Sequence, residues 1–465
     1  MKLSRFKAPN TFFIIFSLII VMAALTWVIP GGEYARVEVE GRQLVDPNSF
    51  EYVKSNPQGI GAVLMAPIRG FVEAALIIGF VLIVGGAFGI FQKTKAIDAA
   101  IKGLAKAQQS SRLIEILTIP LFMLLFSLGG AVFGMSEETI PFVLIFVPLA
   151  LTLGYDSIVG VAIPFIGAGA GFAGAFLNPF TIGIAQGIAE VPLFSGLQYR
   201  FVAWVIITGI AIAFVMIYAA RIKKDPEKSV MYEKDEKKRA DLDTDEIENF
   251  GGLSRRHKGV LWTFAAGMGV LIFGVLTYHW YIEEIAAVFL ATGIAVGIVG
   301  KLGINDVADA FEDGAKTLVG TAIIIGLARG ILVVAQGGHI IDTMLHSLSV
   351  IVSDFHPIVA SQMMFIVQTF LNFFVPSGSG QAALTMPIMA PLADLVGVTR
   401  QTAVLAFQFG DGFSNLIIPT SAVTMGVLML ADIPWEKWAK WILPLEFLFL
   451  IAGLLLLVPP FLMGW

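Results

Sequence analysis

Four stretches of this sequence carry side chains able to bind or move charge, while the chain around them is apolar enough to lie in a bilayer. The first is Gly134-Met135-Ser136-Glu137-Glu138-Thr139-Ile140-Pro141. A carboxylate at membrane depth is costly enough to need a task or a partner. Glu137 and Glu138 can accept a proton, ligate a cation or face a substrate amine; the plainer alternative is that one of them accepts backbone N–H bonds at a helix N-terminus. The second stretch is a glycine run at 167–171 followed by Phe176-Leu177-Asn178-Pro179-Phe180-Thr181. The third is Asn372-Phe373-Phe374-Val375-Pro376-Ser377-Gly378-Ser379-Gly380-Gln381, and the fourth Phe409-Gly410-Asp411-Gly412-Phe413-Ser414-Asn415 with Pro419-Thr420-Ser421 after it. Every backbone N–H and C=O in hydrocarbon needs a partner, so helices broken this way survive only inside protein or beside a water-filled cavity. Half-helix ends and freed carbonyls then bind solute or ion near the midplane.

Two candidate sets follow. The ion-coupling set is Ser136, Glu138, Asn178, Thr181, Asp411, Ser414, Asn415 and Thr420, whose oxygens suit H⁺ or the hard cation Na⁺. Asp411 stands between two glycines and is explained equally well as the acceptor for loose N–H groups around it. Each neutral residue, taken alone, is better explained by bridging broken backbone; the set together favours a site. The substrate set is Glu137, Glu138, Thr139, Asn178, Arg329, Ser377, Gly378, Ser379 and Asn415. Arg329 is the only basic residue deep in a span of the second half. Its guanidinium can hold a carboxylate bidentately, pair with an acid such as Glu138, or snorkel outward. The glycine run at 167–171 is accounted for by close helix packing alone.

Other chemistries are poorly served. Without cysteine there are no disulfides, thiolate metal sites or cysteine nucleophiles. The five histidines (His257, His279, His339, His346, His356) fall at span ends or loops, so no metal centre beyond Na⁺ is expected. Ser379 lies between glycines like a nucleophile, yet no histidine at membrane depth would activate it. A Gly-x-x-x-x-Gly-Lys-Ser/Thr loop is missing too, which excludes ATP-driven pumping by this chain itself. Neither an enzyme nor a cofactor is expected, and no nucleic-acid partner. Trp262, Trp280, Trp435, Trp438 and Trp441 fit interfacial belts.

The elements that must position these residues are transmembrane helices. With 57% hydrophobic and 14% charged residues among 465, the chain reads as an all-α polytopic membrane protein. Spans are placed at about 11–29, 72–91, 200–220, 259–278, 284–300, 317–335 and 442–463. The basic residues Lys2, Arg5 and Lys7 precede the first, and the run ending in Pro30-Gly31-Gly32 makes a poor cleavage site, so it is read as a retained span. Lys93, Lys95, Lys102, Lys106 and Arg112 mark an amphipathic inner-surface segment. The lysine- and arginine-rich ends put the N-terminus in the cytoplasm and the C-terminus outside, in a prokaryotic-type inner membrane.

Three regions follow: a first half (1–220), a charged cytoplasmic linker (221–258) expected to be solvated, and a second half (259–465). Each half holds a re-entrant hairpin (about 113–153 and 357–396) and a broken helix (about 157–188 and 400–431). Thr139-Ile140-Pro141 lines up with Thr385-Met386-Pro387, Pro148-Leu149-Ala150 with Pro391-Leu392-Ala393, and Phe176-Leu177-Asn178 with Phe413-Ser414-Asn415. Pro179 with Thr181 answers Pro419 with Thr420. By the charge count the copies face opposite ways, the pattern of inverted repeats that rock about a shared site.

The runs from Pro376 to Gln381, from Met386 to Pro391 and from Phe409 to Asn415, with Gly134–Thr139 as first-half counterpart, resemble the YfcC-like branch of the C4-dicarboxylate anaerobic carrier family over nearly the whole chain. That resemblance implies a scaffold, a moving domain of paired hairpins, a homodimer and ion-coupled transport, with C4-dicarboxylates and basic amino acids both among the labels its members bear. The acidic first tip argues against a dianion held by positive charge alone. A zwitterion fits better, its amine toward Glu137 or Glu138 and its carboxylate toward Arg329 or half-helix N-termini. The expected function is therefore an ion-coupled or exchange transporter of small carboxylate-bearing solutes, amino acids or short peptides ahead of C4-dicarboxylates. A channel or a membrane subunit of a larger transporter is the other class.

Overall fold

The computed structural model describes residues 11–39, 42–240, 252–352 and 355–465. The basic residues before the first span and residues 241–251 of the linker lie outside them. The described chain is mostly helical, with two short antiparallel ribbons, Gly32–Glu33 with Glu51–Tyr52 and Arg36–Val39 with Arg42–Val45. Among the described residues, eight helices are long and apolar enough to cross a bilayer: Ala75–Lys93, Arg112–Phe133, Leu197–Lys224, Arg255–Tyr278, Ile282–Val299, Val319–Gly337, Pro357–Phe374 and Trp435–Met463.

The chain forms two compact units, and they are not the two sequence halves. One comprises Met1–Ala74, Ala173–Ile207 and Ile324–Trp465; the other comprises Ala75–Phe172 and Thr208–Ile323. The helix pair Arg112–Phe133 and Thr139–Thr152 belongs to the second unit, the pair Pro357–Phe374 and Gly378–Leu395 to the first.

The second unit is built on small-residue contacts and phenylalanine packing. The backbones of Gly85 and Gly89 in Ala75–Lys93 lie against Gly314 of the amphipathic helix Ile304–Thr317, an element not anticipated from the sequence. Phe91 stacks on Phe264 with ring centres 4.7 Å apart, and Phe88 meets Phe142 edge-on at 5.4 Å. A Cβ at Gly171 would overlap the Ser127 carbonyl, so the glycine run at 167–171 serves close packing of Ser157–Ala173 on Arg112–Phe133. In the first unit Phe413 stacks on Phe449 at 4.8 Å and meets Phe365 edge-on at 6.1 Å.

The linker departs from the expectation of a solvated tether. Leu197–Lys224 runs into it, and Tyr232–Ala240 forms a helix whose Asp235 is fully buried. Asp235 accepts from the Ser157 amide at 2.7 Å and from the Ser157 hydroxyl. Arg239 donates to the Tyr155 carbonyl at 2.6 Å, and Tyr218 and Ser229 donate to Asp156, each at 2.6 Å. High charge density does not keep this segment in water, because the N-terminus of Ser157–Ala173 needs acceptors for its free N–H groups.

Candidate functional site

Arg112–Phe133 ends at Gly134, whose φ of 75° lets Met135 and Gly134 donate back to the Gly129 and Gly130 carbonyls. The chain turns through Ser136 and Glu137 before Thr139–Thr152 begins. Glu138 is buried and its carboxylate accepts from the Ser136 amide at 2.9 Å, while the Thr139 hydroxyl donates to the Ser136 carbonyl at 2.6 Å. Glu138 thus closes its own turn and makes no side-chain cap bond to the helix that follows. Glu137, beside it, is half-buried.

Asn178 starts the second broken segment. Its Oδ1 accepts from the Phe180 amide at 2.9 Å, and Pro179–Gly183 then forms a widened π-type turn leading into Ile184–Ile188. In Pro357–Phe374 and Gly378–Leu395 a polar seam runs through apolar helices. Gln368 donates to the Thr385 hydroxyl at 2.9 Å, and Gln381 donates to the Gln368 side-chain oxygen at 2.7 Å. One turn on, Asn372 Nδ2 donates to the Asp411 carbonyl at 3.0 Å, to the Ser414 hydroxyl at 2.8 Å and to Asn415 Oδ1 at 3.0 Å. Asn415 Nδ2 in turn reaches Asp411 Oδ1 at 3.3 Å. Asp411 is fully buried, so helices Pro357–Phe374 and Arg400–Ser414 meet around a hydrogen-bonded centre that holds a buried acid.

Arg400–Ser414 stops at Asn415, and helix resumes at Ala422 with Ser421 as its cap. The carbonyls released by that break are largely claimed. Thr424 donates to Asn415, and the indoles of Trp438 and Trp435 donate to Leu416 and Ile417, both at 2.8 Å. Trp435 and Trp438 therefore serve the broken backbone, and Trp438 is wholly buried rather than part of an interfacial belt. What remains for a cation is side-chain oxygen. Among the described residues of this unit, Thr181 Oγ1, Asn372 Oδ1, Gln381 Oε1 and Thr420 Oγ1 are buried without a hydrogen-bond partner. Buried acceptors left this way are unusual, and a hard cation is a ligand they fit.

Ser377 caps Gly378–Leu395 by accepting from the Gly380 amide at 3.3 Å; Gly378 and Ser379 form its half-buried first turn. Arg329 does not stand alone in its span: its Nε donates to Glu73 at 3.1 Å. It lines, with Ser377, a cavity of about 640 Å³ in the same unit. Asn372, Gln368 and Gln381 are the site residues that sequence reasoning passed over. Their signal was there: Gln368 with Asn372, and Gln381 with Thr385, recur four residues apart and so mark one face of an otherwise apolar helix.

Apolar helices interrupted by buried polar segments are the construction of a polytopic membrane transporter. The particular kin confirm the class. The family model for the C4-dicarboxylate anaerobic carrier matches residues 8–460, and the chain belongs to that family. It is 40% identical over 478 residues to a protein of Escherichia coli (strain K12) with the provisional name basic amino acid antiporter YfcC, covering 94% of this chain and 93% of that one. An uncharacterised protein of Haemophilus influenzae (strain ATCC 51907 / DSM 11121 / KW20 / Rd) is 31% identical over 504 residues, covering 98% and 97%. Two solved structures are more distant. The YdaH transporter of Alcanivorax borkumensis has a TM-score of 0.47 at 15% identity, covering 98% of this chain and 99% of that one. MtrF of Neisseria gonorrhoeae, described among antimetabolite efflux pumps, has 0.46 at 19%, covering 97% and 94%.

Proposed function

We propose that this chain is a secondary transporter of small carboxylate-bearing solutes, driven by exchange or by a coupling cation, with amino acids, basic ones included, preferred to C4-dicarboxylates. The observation that carries the reading is the buried centre of Asn372, Asp411, Ser414 and Asn415, set where Arg400–Ser414 breaks off. Together with the partnerless oxygens of Thr181, Asn372, Gln381 and Thr420 it supplies ligands for Na⁺, and Asp411 supplies the negative charge that a cation balances. Glu137 and Glu138, at the turn between the other helix pair, offer a carboxylate to a proton or a substrate amine. The two helix pairs and two broken helices act as inverted repeats, in a homodimer of the inner membrane with the N-terminus cytoplasmic and the C-terminus external.

The relative named as a basic amino acid antiporter supports the amino-acid preference, and the family description supports C4-dicarboxylates as the second reading. One feature weighs toward the first: the first turn is acidic. Reconstituted protein is expected to accumulate labelled arginine against its gradient when vesicles are preloaded with a second amino acid or given an inward Na⁺ or H⁺ gradient, and to accumulate succinate at least tenfold less. Uphill uptake with every gradient collapsed, or succinate uptake exceeding that of arginine, would overturn the proposal.

A further inference from the structure

We infer that the cavity lined by residues 32–36 with Val45, the start of helix Ile341–Val352 and the capped start of Gly378–Leu395 is a recognition site for a zwitterionic amino acid. The choice of solute rests on the proposed function; the site itself rests on the geometry of one unit. Its volume, about 640 Å³, lies within the range of small-molecule sites. Both signs of charge face it. Arg329 and Arg36 line it, as do Glu33, Asp342 and His339. Leu332, Val375 and Leu384 supply an apolar wall.

Each charge is held in a pair that a ligand can enter. Arg329 meets Glu73 at 3.1 Å with side chains 36% and 38% exposed, so the guanidinium keeps accessible donors for a carboxylate. His339 pairs with Glu33, whose carboxylate is half exposed and open to an amine. Arg36 holds Asp342 at 2.9 Å, and the Tyr34 amide donates to the same carboxylate at 3.0 Å. That pair is the anchor rather than the ligand site, since Asp342 is only 8% exposed. It fastens the ribbon segment to Ile341–Val352, with Phe50 stacked on His346 at 3.9 Å and Tyr34 Oη 3.1 Å from His346 Nδ1. A dianion would find Glu33 and Asp342 on its way in, and a simple cation would find both arginines. A zwitterion satisfies both signs at once, with its side chain along the apolar wall. The site lies on the face that the basic-residue count assigns to the outside.

The chain has no cysteine, so a single introduced thiol reports on the cavity. Ala383→Cys, on the cavity wall, is expected to react with a neutral, membrane-impermeant maleimide in reconstituted protein. Millimolar arginine should slow that reaction at least fivefold, and equimolar succinate should change it less than twofold. Adding Glu33→Gln should abolish the protection by arginine while the labelling rate without ligand stays the same. Gln336→Cys, also on the wall, repeats the test if Ala383→Cys fails to fold. A thiol the reagent never reaches, no protection by any amino acid, or protection by succinate alone overturns the site. Protection without gradient-driven uptake upholds the site and removes the carrier reading; uptake without protection does the reverse.

Discussion

Glu138 is the residue at which holding the turn and function compete most directly. Its carboxylate accepts the Ser136 amide, so the turn needs an acceptor oxygen there but not a charge. Glu138→Gln keeps an acceptor and removes the charge. If the charge serves transport, uptake should fall at least tenfold while thermal unfolding of the purified protein is unchanged; full uptake would reduce Glu138 to an acceptor for the Ser136 amide. Asn372 presents the opposite balance. Its Nδ2 serves three acceptors on Arg400–Ser414 and its C-cap, so Asn372→Ala removes one donor from the Asp411 carbonyl, Ser414 and Asn415 together. Leaving buried acceptors unmatched costs about 1–3 kcal/mol, and both stability and uptake should drop. Trp438→Phe tests the same physics without touching the polar centre: it removes the indole donor to Leu416 and keeps an aromatic ring beside Trp441. A loss of about 1–3 kcal/mol is expected there too, read as a lowered unfolding temperature with substrate affinity retained.

At the scale of elements, polar and small residues in apolar runs made the unwound segments readable, since Asn178, Ser377 and Asn415 all stand at helix boundaries. What holds those boundaries was not readable, because Trp435 and Trp438 look like interface residues until their indoles are seen on the freed carbonyls. The linker misled for a related reason: a charge-rich composition reads as solvated, yet Asp235 caps Ser157 from a distant position in the chain. Asp235→Ala should therefore destabilise the protein by about 1–3 kcal/mol, checked by thermal unfolding, where a purely solvated linker would show no change. Neighbouring Asp156 gives this docking a pH dependence. Burial raises its pKa above the ordinary aspartate value, against the hydrogen bonds from Ser229 and Tyr218 and with some help from the Asp235 charge. A raised folded-state pKa means stability that is fully present below the unfolded value, near 3.9, and is lost as pH rises through the folded one. Relative to the wild type, Asp156→Asn should then gain in unfolding temperature as pH climbs from about 4 toward 7. An unchanging difference between the two across that window would remove the titration.

Across the whole molecule, the matched motifs were the strongest hint of repetition, and they are looser than they first look. The spacing between partners shrinks from 246 (Thr139 to Thr385) to 243 (Pro148 to Pro391) and 237 (Asn178 to Asn415), so the alignment needs gaps. Thr139 also opens its helix, whereas Thr385 sits two turns inside Gly378–Leu395 and donates to the Gln381 carbonyl. The two turns are consequently not equivalent: one carries Glu137 and Glu138, the other Pro376 and Ser377. Such asymmetry is what separate duties for amine, carboxylate and coupling cation would need, and it can be tested on the intact protein. A ligand that binds only the folded chain stabilises it by RT ln(1 + [L]/Kd), about 2.7 kcal/mol at a hundredfold excess over Kd. That is enough to raise the unfolding temperature by a few degrees, wherever on the chain the ligand sits. Basic amino acids should produce such a rise and succinate a smaller one. If the partnerless oxygens of Thr181, Asn372, Gln381 and Thr420 bind Na⁺ together with substrate, the rise should be larger in Na⁺ than in choline. A shift from arginine of the same size in both salts would leave those four oxygens without an ion and favour exchange, since coupling between two ligands must register in the binding of each.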